Sequence, residues 1–244
     1  MPDYLHLAVE VLAGFKREMR FAMPVIKELE QTSASVTTQV LERMEDYCGR
    51  NLVQRCLGLM LISMYGLQEY ELRMILACDA LADEVSHRLK EQNQGTAVAY
   101  PYTRREDREK AIESPHALLP MSLWSPLSYM LKPFTTPSHH CQAFKYQFLL
   151  KSFENTVAAR YGLETEDTRV HLHKKIAAYY RARADPELKY TWRSTDYRAA
   201  QSLIYHKIGA HDWNSVTTVL TDLGFLEYCV SMGQVHGLCT DLKM

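Results

Sequence analysis

Apolar residues recur along most of this chain at spacings of three and four, the period of a helix that turns one face to a core. Near the start, Leu5, Ala8, Val9 and Leu12 follow this spacing behind Pro2-Asp3 and predict an amphipathic helix, loosened at Gly14 and Pro24. "TSASVTTQVLERMEDYCG" offers Ser and Thr caps ahead of Val36, Val40, Leu41 and Met44, with Gly49 as a stop. The next stretch, "RNLVQRCLGLMLISMYG", is apolar on nearly all sides at Leu52, Val53, Cys56, Leu57, Met60, Leu61 and Met64. Such a helix belongs at the centre of a domain. After Gly66, Leu67, Leu72, Ile75 and Leu76 predict a short helix, with a continuation toward Lys90.

The pattern then changes. Residues 91–117 are polar, with Gly95, Pro101, Pro115 and a dense charge run, and read as a surface insertion, helical in part at Arg104 to Ile112. "MSLWSPLSYMLKPFTTPSHHCQAFKYQFLLKSF" predicts a short helix, two short strands around a Pro-Ser-His-His turn, and the start of another helix. Within it, Phe144, Tyr146 and Phe148 alternate with Lys145 and Gln147 before Leu149-Leu150 restore a helical pattern. From Glu154 onward the segments "FENTVAARYG", "EDTRVHLHKKIAAYYRAR", "DYRAAQSLIYHKIGA", "DWNSVTTVLTDLGFLEYCVSMG" and "VHGLCTDLKM" are helical again. Two helices about every forty residues suit a helical hairpin array, repeat-like in form with weak repeat identity.

Composition narrows the function classes. A chain of 244 residues, 47% hydrophobic and 23% charged, can bury one large core or two smaller ones. Lys and Arg total 28 against 29 Asp and Glu, so no global field draws nucleic acid or an anionic membrane. The six cysteines, Cys48, Cys56, Cys78, Cys141, Cys229 and Cys239, form no C-x-x-C pair and read as buried thiols of a reducing compartment. "MPDYLHLAVEVLAGFKREMR" lacks the basic start and apolar run of a secretory signal. No apolar run reaches the roughly 18 residues of a membrane span. An intracellular, cytoplasmic protein is expected, with no membrane partner.

Candidate chemistry is sparse. The ten glycines supply neither G-x-x-x-x-G-K-[ST] nor G-x-G-x-x-G, so no nucleotide site or other cofactor is expected within the chain. His139, His140 and Cys141 are types that ligate zinc, but no second pair completes a four-ligand set, and they read as a solvated hairpin tip. A catalytic triad built on Cys141 has no local signature. His171 and His173 stand two apart on a helix and read as surface residues. Glu42, Glu45 and Asp46 read as a solvated face. The order helix, helix, helix, hairpin from Asn51 to Phe148 is that of a winged helix, which can read DNA. Its groove helix would be "SLWSPLSYML", without a cation before Lys132, so no nucleic-acid partner is expected.

"LERMEDYCGRNLVQRCLGLMLISMYGLQEYELRMILA" resembles the winged-helix part of NACHT-type STAND nucleoside triphosphatases, the large relatives of nephrocystin and of telomerase-associated proteins. "LPMSLWSPLSYMLKPF", "FLLKSFENTVAARY", "HLHKKIAAYY" and "HKIGAHDWNSVTTVLTDLGFLEYCVSMGQVHGL" look like successive landmarks of that family, and "DYLHLAVEVLAGF" is similar to the helix that closes its nucleotide-binding region. The resemblance spans about residues 3–90 and 118–242. It implies a mainly α fold: a closing helix over 1–29, a winged-helix domain with a small β-hairpin over 30–150, its insertion at about 91–117, and an α-helical hairpin array over 151–244.

In the family a P-loop core precedes these elements and WD or tetratricopeptide repeats follow them; neither lies in these 244 residues. A family histidine that touches the β-phosphate from the helix after the wing corresponds to Leu150, which has no hydrogen to donate. At Gln68 the family often has Ser or Thr. The expected function is therefore non-catalytic: an interaction or scaffold module for protein partners within a larger assembly, in cilia by analogy with nephrocystin relatives. The rival readings are a fragment of a working NACHT-type ATPase switch and a nucleic-acid-binding winged helix. The expected docking face is Tyr228, Val235, Leu238 and Leu242, because "VHGLCTDLKM" is too apolar to be a polar cap. Leu220, Leu223 and Phe225 are expected in the core.

Overall fold

A computed structural model describes residues 5, 8, 9, 32–77, 118–135 and 145–242. It is mainly helical and divides into two compact units, Met1–Met60 with Gly66–Val157, and Leu61–Tyr65 with Ala158–Met244. The insertion expected at 91–117 and the turn with His139, His140 and Cys141 lie outside the described residues. In the first stretch residues 5, 8 and 9 are helical; Ala8 is buried, whereas Leu5 and Val9 are exposed rather than sharing its face.

The first unit opens with α1 (Ser33–Cys48), capped by Thr32, whose Oγ1 accepts the Ser35 N–H at 3.1 Å. Val36, Thr37, Val40, Leu41 and Met44 form its buried stripe. Gly49, at φ 87°, ends the helix while its N–H still reaches the Glu45 carbonyl, a backbone state that side chains oppose. In α2 (Arg50–Ile62), Val53, Cys56, Leu57, Leu59, Met60 and Ile62 are buried, the central position expected of an apolar helix. Met64, past its end, is exposed.

Gly66 turns the chain into β1 (Leu67–Gln68) and α3 (residues 69–77). Gln68 supplies no Ser or Thr cap here, but the buried Glu71 accepts the Gln68 N–H at 2.7 Å, the returning half of a capping box. The chain comes back along α3 at Leu119, whose N–H reaches the Arg73 carbonyl while the Arg73 guanidinium donates twice to the Leu119 carbonyl. Then α4 (Met121–Leu131) packs against α1, burying Trp124, Leu127, Ser128 and Leu131, and a 3-10 turn follows over Lys132–Phe134.

β2 (Lys145–Tyr146) pairs antiparallel with β1, Tyr146 opposite Leu67 and Lys145 opposite Gln68. The sequence expects a two-stranded hairpin around the Pro-Ser-His-His turn. Across that turn the described residues hold a single antiparallel bridge, Thr135 to Phe148, and the ladder runs instead to β1. Tyr146 explains the preference: its ring is buried with an edge toward Trp124 at 5.3 Å, and its hydroxyl lies 2.7 Å from Ser128 Oγ. A polar atom buried with a partner costs little, and the ring supplies the apolar area. α5 (Lys151–Arg160) follows, with Phe153 stacked on Phe134 at 4.7 Å.

The second unit is built on the hairpin of α6 (Glu166–Ala184) and α7 (Tyr197–Gly209). Contacts from His173 to His206 and from Tyr180 to Arg198 run in opposite chain directions, so the two helices are antiparallel. Asp196 caps α7, its Oδ1 accepting the N–H groups of Arg198 and Ala199. Three shorter helices pack on α7: α8 (Trp213–Leu220), α9 (Leu223–Ser231) and α10 (Val235–Asp241). "DWNSVTTVLTDLGFLEYCVSMG" thus forms two helices, α8 and α9. Asp222 makes the break: its Oδ1 caps α9 at the Gly224 N–H, while its Oδ2 accepts from Trp192 Nε1 at 2.9 Å. On the other side of the break, Thr221 turns its hydroxyl back to the Thr217 carbonyl, a local bond that competes with continuing the helix.

Candidate functional site

Leu150 sits immediately before α5, half-buried, and its carbonyl accepts the Glu154 N–H at 3.1 Å. It occupies the N-cap place without a capping side chain. Leu149 beside it is exposed, and Lys151 pairs with Glu154 one turn on. The lysine amine at this helix end is therefore already engaged by a carboxylate.

No group of three or more His, Cys, Asp or Glu side chains converges to hold a metal ion among the described residues. Cys56 and Cys229 are buried, as expected, but Cys239 is exposed. Burial, with Asp241 adding to it, pushes the Cys229 thiol up to about 12, and burial raises the Cys56 thiol further. These two thiols stay protonated and are poor nucleophiles. Among the described residues no helix is long and apolar enough to cross a membrane.

The docking face expected at the C-terminal end does not survive as drawn. Tyr228 is buried, its hydroxyl donates to the Asp196 carbonyl, and its ring lies beside Phe225. Leu238 is buried as well. A residue satisfied inside the unit cannot also meet a partner. Val235 and Leu242 remain exposed, at 49% and 56%. They stand seven residues apart, Leu242 capping the end of α10, so they lie on one side of the chain there. Leu223, expected in the core, is instead 79% exposed, and Val230, seven residues on along α9, is 54% exposed. Phe225 is fully buried and Leu220 is half-buried. The surface that the structure offers is thus two aliphatic stripes, Leu223 with Val230 and Val235 with Leu242.

Two buried polar constellations in the same unit escape the sequence reading. His173 is not a surface residue: it is 4% exposed, and its Nδ1 lies 3.0 Å from Nδ1 of the equally enclosed His206. Its spacing carried the signal, since His173, Ile176, Tyr180 and Ala184 follow one helical stripe, all buried. Burial first, then the nearby Arg169 and His211, lowers the His173 pKa to about 4; burial, His173 and Arg198 hold His206 well below its usual value.

The second constellation centres on Asp185, fully buried at the end of α6. Its carboxylate accepts from the N–H groups of Tyr190 and Thr191, from the Thr191 hydroxyl, and from Arg181 at 3.0 Å. The Arg181 guanidinium in turn lies over the rings of Tyr190 and Trp192, at 4.5 and 4.1 Å. This clamp holds Leu188, Tyr190 and Trp192 at positive φ, between 50° and 61°. Non-glycine residues adopt such angles at a cost that the surrounding bonds must offset.

Comparison of the chain with protein-family models, curated proteins and solved structures finds no match.

Proposed function

We propose that this chain is a non-catalytic protein-interaction module, resembling the winged-helix and helical C-terminal part of a NACHT-type STAND protein, and that its second unit docks an amphipathic helix of a protein partner. The observation that carries this reading is the pair of exposed aliphatic stripes on α9 and α10, Leu223 with Val230 and Val235 with Leu242. A seven-residue aliphatic spacing is the ridge on which another helix seats its own apolar face. The winged-helix part of the reading draws support from the chain order α2, β1, α3, α4, β2 and from the antiparallel pairing of β1 with β2 beside the Thr135–Phe148 bridge. A leucine at 150, where the family resemblance places a phosphate-touching histidine, supports binding rather than nucleotide switching.

Photo-crosslinking in the native cells tests the docking surface. A benzophenone side chain at Val235 or at Leu242 is expected to capture one and the same protein, and the same group at the exposed Asn214 of α8 to capture none of it. Equal capture from all three positions, or none from either α10 position, overturns the proposal.

A further inference from the structure

His173 and His206 meet within the α6–α7 hairpin, Nδ1 to Nδ1. A neutral imidazole donates from one ring nitrogen and accepts at the other. The contact is therefore a hydrogen bond when one ring carries its proton on Nδ1 and the other carries it on Nε2. One added proton, at the free Nε2 of the donor ring, spares this bond but places a cation in a buried site. A second puts an N–H on both facing nitrogens, and the bond is lost.

The surroundings oppose charging from every side. Arg169 on α6, Arg198 on α7 and His211 beyond α7 are the groups acting on the pair, and each disfavours a positive charge on it. Arg198 is itself buried and donates to the Tyr180 hydroxyl at 3.2 Å. Tyr180 and Tyr205 flank the rings, Tyr205 at 5.6 Å from His173 and 5.0 Å from His206, and burial, opposed by Arg169 and aided by Tyr65, raises the Tyr205 pKa. Lys207, next in the chain, turns its amine to Asp212 and Ser215, and Glu166 holds His211 at 3.4 Å. Nor can the His173 ring retreat toward α7. A Cβ placed on Gly209 would sit 2.5 Å from it, so the ring already lies on the helix backbone.

We propose that the His173–His206 pair is an acid-sensitive latch between α6 and α7, closed while both rings are neutral and opened by proton uptake. In the closed hairpin the rings titrate far below the usual histidine value of about 6.5, whereas an opened pair titrates near it. Above about pH 6.5 neither state takes up protons and the latch contributes in full. As the pH falls from there toward about 4, opening takes up as many as two protons and its equilibrium constant rises by up to about a hundredfold per pH unit. Because α8, α9 and α10 pack on α7, opening also disturbs the helices that carry the exposed stripes. The latch itself does not depend on what those stripes bind.

Hydrogen exchange on the whole chain, corrected for intrinsic rates, reads the opening directly. Between about pH 7 and pH 5, protection in α6 and α7 is expected to fall at least about tenfold further than in α1 and α2. A His173→Leu, His206→Leu double variant is expected to lose that excess. Should the variant not fold, imidazole NMR of the unmodified chain decides: one neutral Nδ1–H ring and one neutral Nε2–H ring, both titrating below the usual histidine value. Either ring titrating near about 6.5, equal loss of protection in both helix pairs, or a folded double variant that keeps the excess overturns the latch.

Discussion

Asp185 shows how much one side chain organises in the second unit. Burial alone would raise its pKa, but the Thr191 hydroxyl, the N–H groups of Tyr190 and Thr191, and Arg181 together hold it below the ordinary carboxylate value. A carboxylate is acceptor-only, which suits a site made entirely of donors. Asp185→Asn keeps the shape but turns an amide NH₂ toward those donors and leaves Arg181 without its anion. Urea unfolding at neutral pH is expected to show a loss of about 3 kcal/mol, the scale for breaking a buried, hydrogen-bonded pair. The sign with pH follows from the depressed pKa. The Asp185 contribution is fully present above the unfolded value of about 3.9 and disappears as the pH falls through the folded value. Its loss therefore begins below the acid window of the His173–His206 pair, which keeps the two effects separable.

Among the elements, local signals are legible where the chain itself supplies the partner. Thr32 before α1, Gly49 after it and the all-round apolar α2 can be read directly, because cap and period lie within a few residues. What depends on a distant partner cannot. Asp222 breaks α8 from α9 while holding Trp192, thirty residues earlier, and Tyr146 chooses β1 as its strand neighbour through Trp124 and Ser128. The same limit misplaces Leu223: periodicity names a face, and only packing says which face is inside. α4 illustrates a consequence that can be tested. Its exposed residues are Met121, Ser122, Ser125 and Tyr129, with Lys132 following. A groove-reading helix needs several cations against phosphate. Fluorescence titration with duplex DNA is expected to give no submicromolar, salt-sensitive binding; an affinity that weakens steeply with added salt would refute this.

For the whole molecule, chemistry and surface point the same way. The buried thiols are held protonated, the histidine pair and Asp185 are enclosed, and the exposed apolar residues of α9 and α10 line up at helical spacing. Burying two such aliphatic residues against a partner stabilises the complex by about 1.5–3 kcal/mol each at most, enough to change binding tenfold or more. The same residues contribute little to the isolated fold, since exposed positions alter stability by about 0.5 kcal/mol or less. The most direct measurement is therefore affinity capture of the partner by the unmodified chain and by a Val230→Asp, Val235→Asp variant, with circular dichroism recorded on both. Loss of the partner from a variant with an unchanged helical spectrum is the result predicted here. Equal recovery of the partner by the folded variant would contradict the account.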